Sequence, residues 1–86
     1  MLKVEIYTSV LCGYCSRAKK FLDKKGIIYE EFDITSNDTL RKEMIKRSNT
    51  HMVPQIFING QNIGGYDDLM MLEQEGVLDS KLGLVK

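Results

Sequence analysis

The sequence has no charge imbalance, little cysteine and no long apolar run, and each shortage narrows what the chain can be. Its 12 Lys and Arg residues are matched by 12 Asp and Glu, so the positive field that nucleic acid or an anionic membrane surface requires is missing. No apolar stretch approaches the roughly 20 residues that cross a bilayer, and the opening Leu2-Lys3-Val4-Glu5-Ile6 alternates like a strand rather than like an export signal. The chain is therefore expected to be cytoplasmic, with neither nucleic acid nor membrane as a partner. No Gly-x-Gly-x-x-Gly or phosphate-loop pattern occurs, which argues against a nicotinamide, flavin or nucleotide cofactor. With one His and two Cys, the chain cannot fill a tetrahedral zinc site from these ligands alone, and no metal is expected.

What is present fits one compact domain over residues 1–86, with 43% hydrophobic residues and a modest core. Lys3 to Thr8 alternates, with Val4 and Ile6 on one face, and reads as a strand. From Tyr14 to Lys25 the spacing becomes helical, with Tyr14, Ala18, Phe21, Leu22 and Lys25 on one face and Gly26 as the stop. Ile27 to Ile34 alternates around Ile28, Glu30 and Phe32 as a second strand, parallel to the first by the handedness of short crossovers. Ser36, Asn37 and Asp38 offer caps for a helix that carries Leu40, Met44 and Ile45 to about Arg47. Gln55 to Ile58, then Asn59-Gly60, then a strand ending near Ile63 form a tight hairpin. Gly64-Gly65 turns into a third helix with Asp67 and Asp68 in its first turn, Leu69 and Leu72 inward and Gly76 as its stop. A short helix follows from about Asp79. The order β-α-β-α-β-β-α implies an α/β fold, a mixed four-stranded sheet with helices on both faces.

Three segments carry chemistry. Cys12-Gly13-Tyr14-Cys15 falls between the first strand and the first helix. There Cys12 meets unpaired N–H groups and the positive end of the helix dipole, both of which favour a thiolate. Cys15 lies about one turn inside on the same side, within disulfide reach but shielded. A bridge closing so short a loop removes little entropy from the unfolded chain, so stability is a poor reason for the pair. Buried core thiols are the competing reading, but the β-α-β setting favours redox chemistry. Val53-Pro54 precedes a strand, where the proline sits on an edge or takes a cis bond. Gly64-Gly65-Tyr66-Asp67-Asp68 lets a ligand approach backbone N–H groups that suit a carboxylate, while Asp67 can hold an ammonium. The γ-glutamyl end of glutathione carries both groups on one carbon.

Taken together, Cys-x-Tyr-Cys, Val-Pro and Gly-Gly-x-Asp resemble the glutaredoxin family over nearly the whole chain. The resemblance implies a thioredoxin-like fold and glutathione-dependent thiol–disulfide exchange, with Cys12 attacking and Cys15 resolving. Its substrates would be glutathionylated or disulfide-containing proteins, and the chain would act as a monomer. It also implies a cis Pro54 and a glutathione groove formed by Tyr14, Met52, Val53, Pro54, Gly65, Tyr66 and Asp67, with Val53 backbone pairing to the cysteinyl unit. A thioredoxin would more typically show Trp-Cys-Gly-Pro-Cys, and this chain has no Trp. Many glutaredoxins have Pro at Gly13, Thr at Met52 and Lys at Ser9. Arg47, Lys46 or Arg17 then stands in for that Lys toward the glycyl carboxylate. Gly13 also brings an alternative, a dimer sharing a [2Fe–2S] cluster through Cys12 and glutathione. His51 reads as a solvated loop residue, and Met44, Met52, Met70 and Met71 as packing or surface side chains rather than ligands.

Overall fold

A run of β-branched and aromatic residues buried on both faces makes Val4–Thr8 the centre of the sheet. The computed structural model describes residues 2–84, in the order β1 (Val4–Thr8), α1 (Gly13–Lys24), β2 (Glu30–Asp33), α2 (Asp38–Ser48), β3 (Gln55–Ile58), β4 (Gln61–Gly64), α3 (Tyr66–Gln74) and α4 (Leu78–Lys81). The four-stranded sheet has the order β2-β1-β3-β4. β1 runs parallel to β2, with Ile6 opposite Glu31, and antiparallel to β3, with Ile6 opposite Ile56. The β3–β4 hairpin turns through Asn59 and Gly60, whose φ values of 51° and 82° are the left-handed pair that a tight hairpin requires.

Strand alternation divides the core in two. Val4, Ile6, Ile56 and Ile58 pack with Ala18 and Leu22 of α1, Leu69 of α3 and Leu78 of α4. Tyr7 and Phe57, from the intervening positions, pack with Ile34 and with Met44 of α2. The expected mixed sheet with helices on both faces is observed.

Three local expectations need correction. The second strand begins at Glu30, not Ile27. Gly26 is left-handed with φ 73°, and the N–H groups of Gly26 and Ile27 close back on the carbonyls of Asp23 and Leu22 at 2.9 and 3.0 Å. This helix-ending motif turns Ile27 into the core and leaves Ile28 93% exposed. The inward stripe of α1 is Cys15, Ala18 and Leu22. Tyr14 is exposed, and Lys25 instead ties the end of α1 to Glu73 and Asp79 at 3.0 and 2.6 Å. On α2, Met44 is fully buried whereas Ile45 lies at the surface.

With so narrow an apolar face, α2 docks through charge. Arg47 donates to the buried Glu5 carboxylate at 2.9 Å and to the Tyr7 hydroxyl at 2.8 Å, and its guanidinium lies 3.9 Å from the Phe57 ring centroid. Tyr7 in turn donates to Glu43. The Arg47 hydrogen bond holds the Glu5 carboxyl below its ordinary range, against the opposing effect of burial. Burial is the main cause that raises the Tyr7 hydroxyl.

Replacing Arg47 with Met keeps apolar contact with Phe57 and leaves Glu5 only the exposed Lys3 at 3.8 Å. We expect a stability loss of about 2 kcal/mol near neutral pH, since removal of one partner strands a buried charge. Because the Glu5 pKa is depressed, the pair stabilises above the ordinary value of 4.5 and that contribution is lost as pH falls through the lower folded value. Urea unfolding near pH 7 and near pH 3 should show the gap between wild type and Arg47→Met shrinking in acid. An equal gap at both would show that the charge pair is not its source.

Candidate active site

The loop leaving β1 is tied down where Val10 N–H donates to Thr35 Oγ1 at 2.9 Å. Cys12 then takes an extended conformation, φ −128° and ψ 103°, as the N-cap of α1. Its Sγ accepts the Cys15 N–H at 3.0 Å, the bond that a Ser or Asp side chain makes at such a position. Cys12 and Cys15 form a disulfide, with Cα atoms 5.2 Å apart. Cys15 is only 1% exposed, while Cys12 is half-buried and open to solvent. A thiolate at Cys12 would be an acceptor for this same first-turn N–H, whereas Cys15 lies inside the helix. One sulfur is therefore placed to react with partners and the other to react with its neighbour.

The segment opposite is fixed by Pro54. The Val53–Pro54 bond is cis, and the Val53 carbonyl lies 3.8 Å from Cys12 Sγ. A third segment closes against it. A Cβ on Gly65 would stand 3.3 Å from the Pro54 carbonyl, and one on Gly64, whose φ is 110°, would collide with the Asp68 carboxylate. These two glycines let the turn pass close beneath the cis peptide. The adjacent acids divide their roles. Asp68 accepts the Gly65 N–H at 2.9 Å and so caps α3. The Asp67 carboxylate is exposed and has no hydrogen-bond partner among the described residues, beside a helix start whose first N–H groups lack helical acceptors.

Between these segments lies an open cleft of about 410 Å³. Tyr14, Met52, Val53, Pro54, Gly65, Tyr66 and Asp67 all line it, so the positions expected from sequence are brought together in space. Tyr14 and Tyr66 form one rim, with ring centroids 5.7 Å apart. Gly64 and Asp68, from the ligand-approach segment read in the sequence, line it as well; so do Thr50, Gln55 and Asn62, which sequence reasoning missed. Gln55 and Asn62 form an amide pair, Asn62 Nδ2 donating to Gln55 Oε1 at 3.2 Å. The signal lay in register: with Phe57 opposite Asn62, Gln55 shares its face. The cations also sort themselves. Arg47 is committed to Glu5 and Tyr7 and is withdrawn as an anion ligand. Lys46 is exposed on α2 and lines no part of the cleft. Arg17 sits over the Tyr14 ring, 5.3 Å from its centroid. His51 is exposed in the loop before Met52.

A sheet of this order, with an N-capping cysteine, a buried partner one turn on and a cis proline opposite, defines a dithiol–disulfide oxidoreductase of thioredoxin-like fold. Comparison with known proteins carries this to the family. Residues 4–63 match the model of the family described as Glutaredoxin. The chain is 52% identical to Glutaredoxin 3 of Escherichia coli over 82 residues, covering 95% of this chain and 99% of that protein. It also matches the solution structure of glutaredoxin from Brucella melitensis at 48% identity and TM-score 0.84, covering all of this chain and 94% of the other. The crystal structure of a buckwheat glutaredoxin–glutathione complex matches at 29% identity and TM-score 0.87, over 95% of this chain and 77% of that one. The chain belongs to the glutaredoxin family of glutathione-dependent thiol–disulfide oxidoreductases.

The division between the two aspartates is testable by stability alone. Asp68→Ala should lower unfolding free energy by about 1 kcal/mol through loss of the α3 cap. Asp67→Ala, which breaks no hydrogen bond among the described residues, should stay within about 0.5 kcal/mol of wild type. Urea denaturation of the two variants decides it, and equal losses would contradict the assignment.

Proposed function

We propose that the chain reduces protein–glutathione mixed disulfides and protein disulfides through Cys12 and Cys15, with glutathione bound in the cleft. The observation that carries this reading is the asymmetry of the pair, a half-buried Cys12 at the α1 cap beside Val53 and a fully buried Cys15 one turn below. In the monothiol route the Cys12 thiolate attacks the glutathionyl sulfur. The protein thiolate leaves and Cys12–glutathione remains; a second glutathione thiolate then frees Cys12 and departs as glutathione disulfide. In the dithiol route Cys12 attacks a protein disulfide, and Cys15 displaces the bound partner to give the intramolecular disulfide, which two glutathiones reduce.

Tyr14, Met52, Val53, Pro54, Gly65, Tyr66 and Asp67 are the proposed glutathione contacts. Val53 backbone meets the cysteinyl unit, and the start of α3 takes the γ-glutamyl carboxylate. Asp67 takes the ammonium, its own carboxylate being free to do so. Arg17, held over Tyr14, replaces the family's Lys toward the glycyl carboxylate, since Arg47 is engaged elsewhere. The chain acts as a monomer in the cytoplasm, where reduced glutathione keeps the cycle turning. Each chain offers one accessible thiol, so a [2Fe–2S] cluster would need its other ligands from outside the chain. Neither the fold nor the named relatives support that alternative.

The two routes separate the cysteines. Cys15→Ser should keep or raise glutathione-dependent reduction of a small mixed disulfide, because it removes the detour into the intramolecular bond. Cys12→Ser should be inactive. On a protein disulfide, Cys15→Ser should stall as a covalent mixed disulfide visible by mass spectrometry. Loss of both activities to the same degree in Cys15→Ser would overturn the roles given to the pair.

A further inference from the structure

Gln55 is a polar residue in the buried strand β3, only 5% exposed, and its side-chain amide is half satisfied. Asn62 Nδ2 donates both to the Ile56 carbonyl at 3.3 Å and to Gln55 Oε1 at 3.2 Å. A backbone carbonyl can only accept, so Asn62 must turn its NH2 group toward β3, and Gln55 must answer with its oxygen. That leaves Gln55 Nε2 as a donor with no protein acceptor among the described residues. Burying such a group without a partner costs about 1–3 kcal/mol, yet no side-chain nitrogen or oxygen of the described residues is both buried and unpaired. The little surface that Gln55 keeps therefore includes Nε2, and Gln55 lines the cleft.

The place of this donor within the cleft identifies its acceptor. Ile56 pairs with Gly64 across the β3–β4 hairpin, which sets Gln55 at the level of Gly65. The Pro54 carbonyl, next along the chain, lies 3.3 Å from where a Gly65 Cβ would stand. Gln55 thus opens on the end of the cleft lined by Gly65, Tyr66 and Asp67, the end given above to the γ-glutamyl unit. Among the described residues no Lys or Arg lines the cleft, so a carboxylate there depends on neutral donors, and it has room for about four of them. A donor aimed at a carboxylate also gains more than one aimed at a neutral oxygen. We propose that Gln55 Nε2 donates to the α-carboxylate of the γ-glutamyl unit, alongside the first N–H groups of α3, and that Asn62 is a positioning residue that keeps the Gln55 amide in its donating orientation. The inference rests on the glutathione reading above and names a specificity-determining residue of that site. Gln55 distinguishes a γ-glutamyl unit from an acyl group that lacks the α-carboxylate.

The test uses mixed disulfides of mercaptoethanol with glutathione, with an analogue carrying glutaryl in place of γ-glutamyl, which lacks only the ammonium, and with one carrying γ-aminobutyryl, which lacks only the α-carboxylate. Cys12 takes the glutathionyl or analogue sulfur, mercaptoethanol leaves as thiolate, and saturating glutathione completes the cycle. Gln55→Met keeps the side-chain length and removes the amide. It should raise KM about tenfold for the glutathionyl and glutaryl substrates and less than about twofold for the γ-aminobutyryl one, with kcat within about twofold throughout. Asn62→Ala, at an exposed position, should repeat the pattern at about threefold, since the one atom Asn62 leaves free is Oδ1, an acceptor that cannot bind a carboxylate. A rise shared equally by the three substrates would make Gln55 a strand-packing residue, and no rise in either variant would leave Nε2 without a ligand; each result overturns the proposal. If wild type itself handles the glutathionyl and γ-aminobutyryl substrates alike, the γ-glutamyl site fails, and the reading beneath the proposal fails with it.

Discussion

The hydrogen bond from Cys15 N–H to Cys12 Sγ, 3.0 Å long, is the contact around which the site is organised. It sets a sulfur where helices otherwise place a Ser or Asp oxygen, at the end of a backbone ladder that leaves donors unpaired. The same 3.6-residue period that frees this N–H carries Cys15 inward onto the stripe with Ala18 and Leu22. One turn of helix thus separates two chemically identical side chains into a half-buried Cys12 and a fully buried Cys15.

Everything else fixes what stands opposite that helix end. β1 is central in the sheet, so the loop to α1 leaves from a rigid strand. The antiparallel neighbour β3 brings Val53 and the cis Pro54 bond beside the sulfur. β4 follows through a tight turn and delivers Gly64 and Gly65 beneath Pro54. The opposite face is held by an unusual contact for so small a core, the Arg47–Glu5 pair lying over Phe57. That network takes Arg47 out of the ligand chemistry and leaves Arg17 beside the cleft. Gly13 is the first residue of α1, where Pro is often favoured because its fixed φ suits a helix start. A Cβ there meets nothing within 4 Å, so the departure from the family's proline concerns backbone freedom rather than space.

Much of this was legible from sequence because it was local. Asn59-Gly60 named its hairpin, Gly26 and Gly76 named helix ends, and Cys12-Gly13-Tyr14-Cys15 named the redox centre by its place between strand and helix. What sequence misread depended on partners distant along the chain. Ile27 and Ile28 look like strand residues until the turn after α1 is seen to send one inward and the other to solvent. Tyr14 fits a helical apolar stripe by its spacing, yet it is exposed beside Tyr66 of α3 at the cleft rim, in the groove where the family resemblance set it. Arg47 passes for an anion ligand until Glu5, a charged residue in the most buried strand, is found to need it. Gln55 and Asn62 become cleft residues only through β3–β4 register.

The acidity of Cys12 tests the governing contact most directly. In reduced protein, the rate of alkylation at Cys12 can be followed by mass spectrometry across pH, with Cys15 monitored in the same digest. If the helix start stabilises the thiolate, Cys12 modification should titrate well below the free-cysteine value of about 8.5, with Cys15 reacting only at higher pH. A Cys12 midpoint at or above that value would show that the α1 terminus does not activate the sulfur.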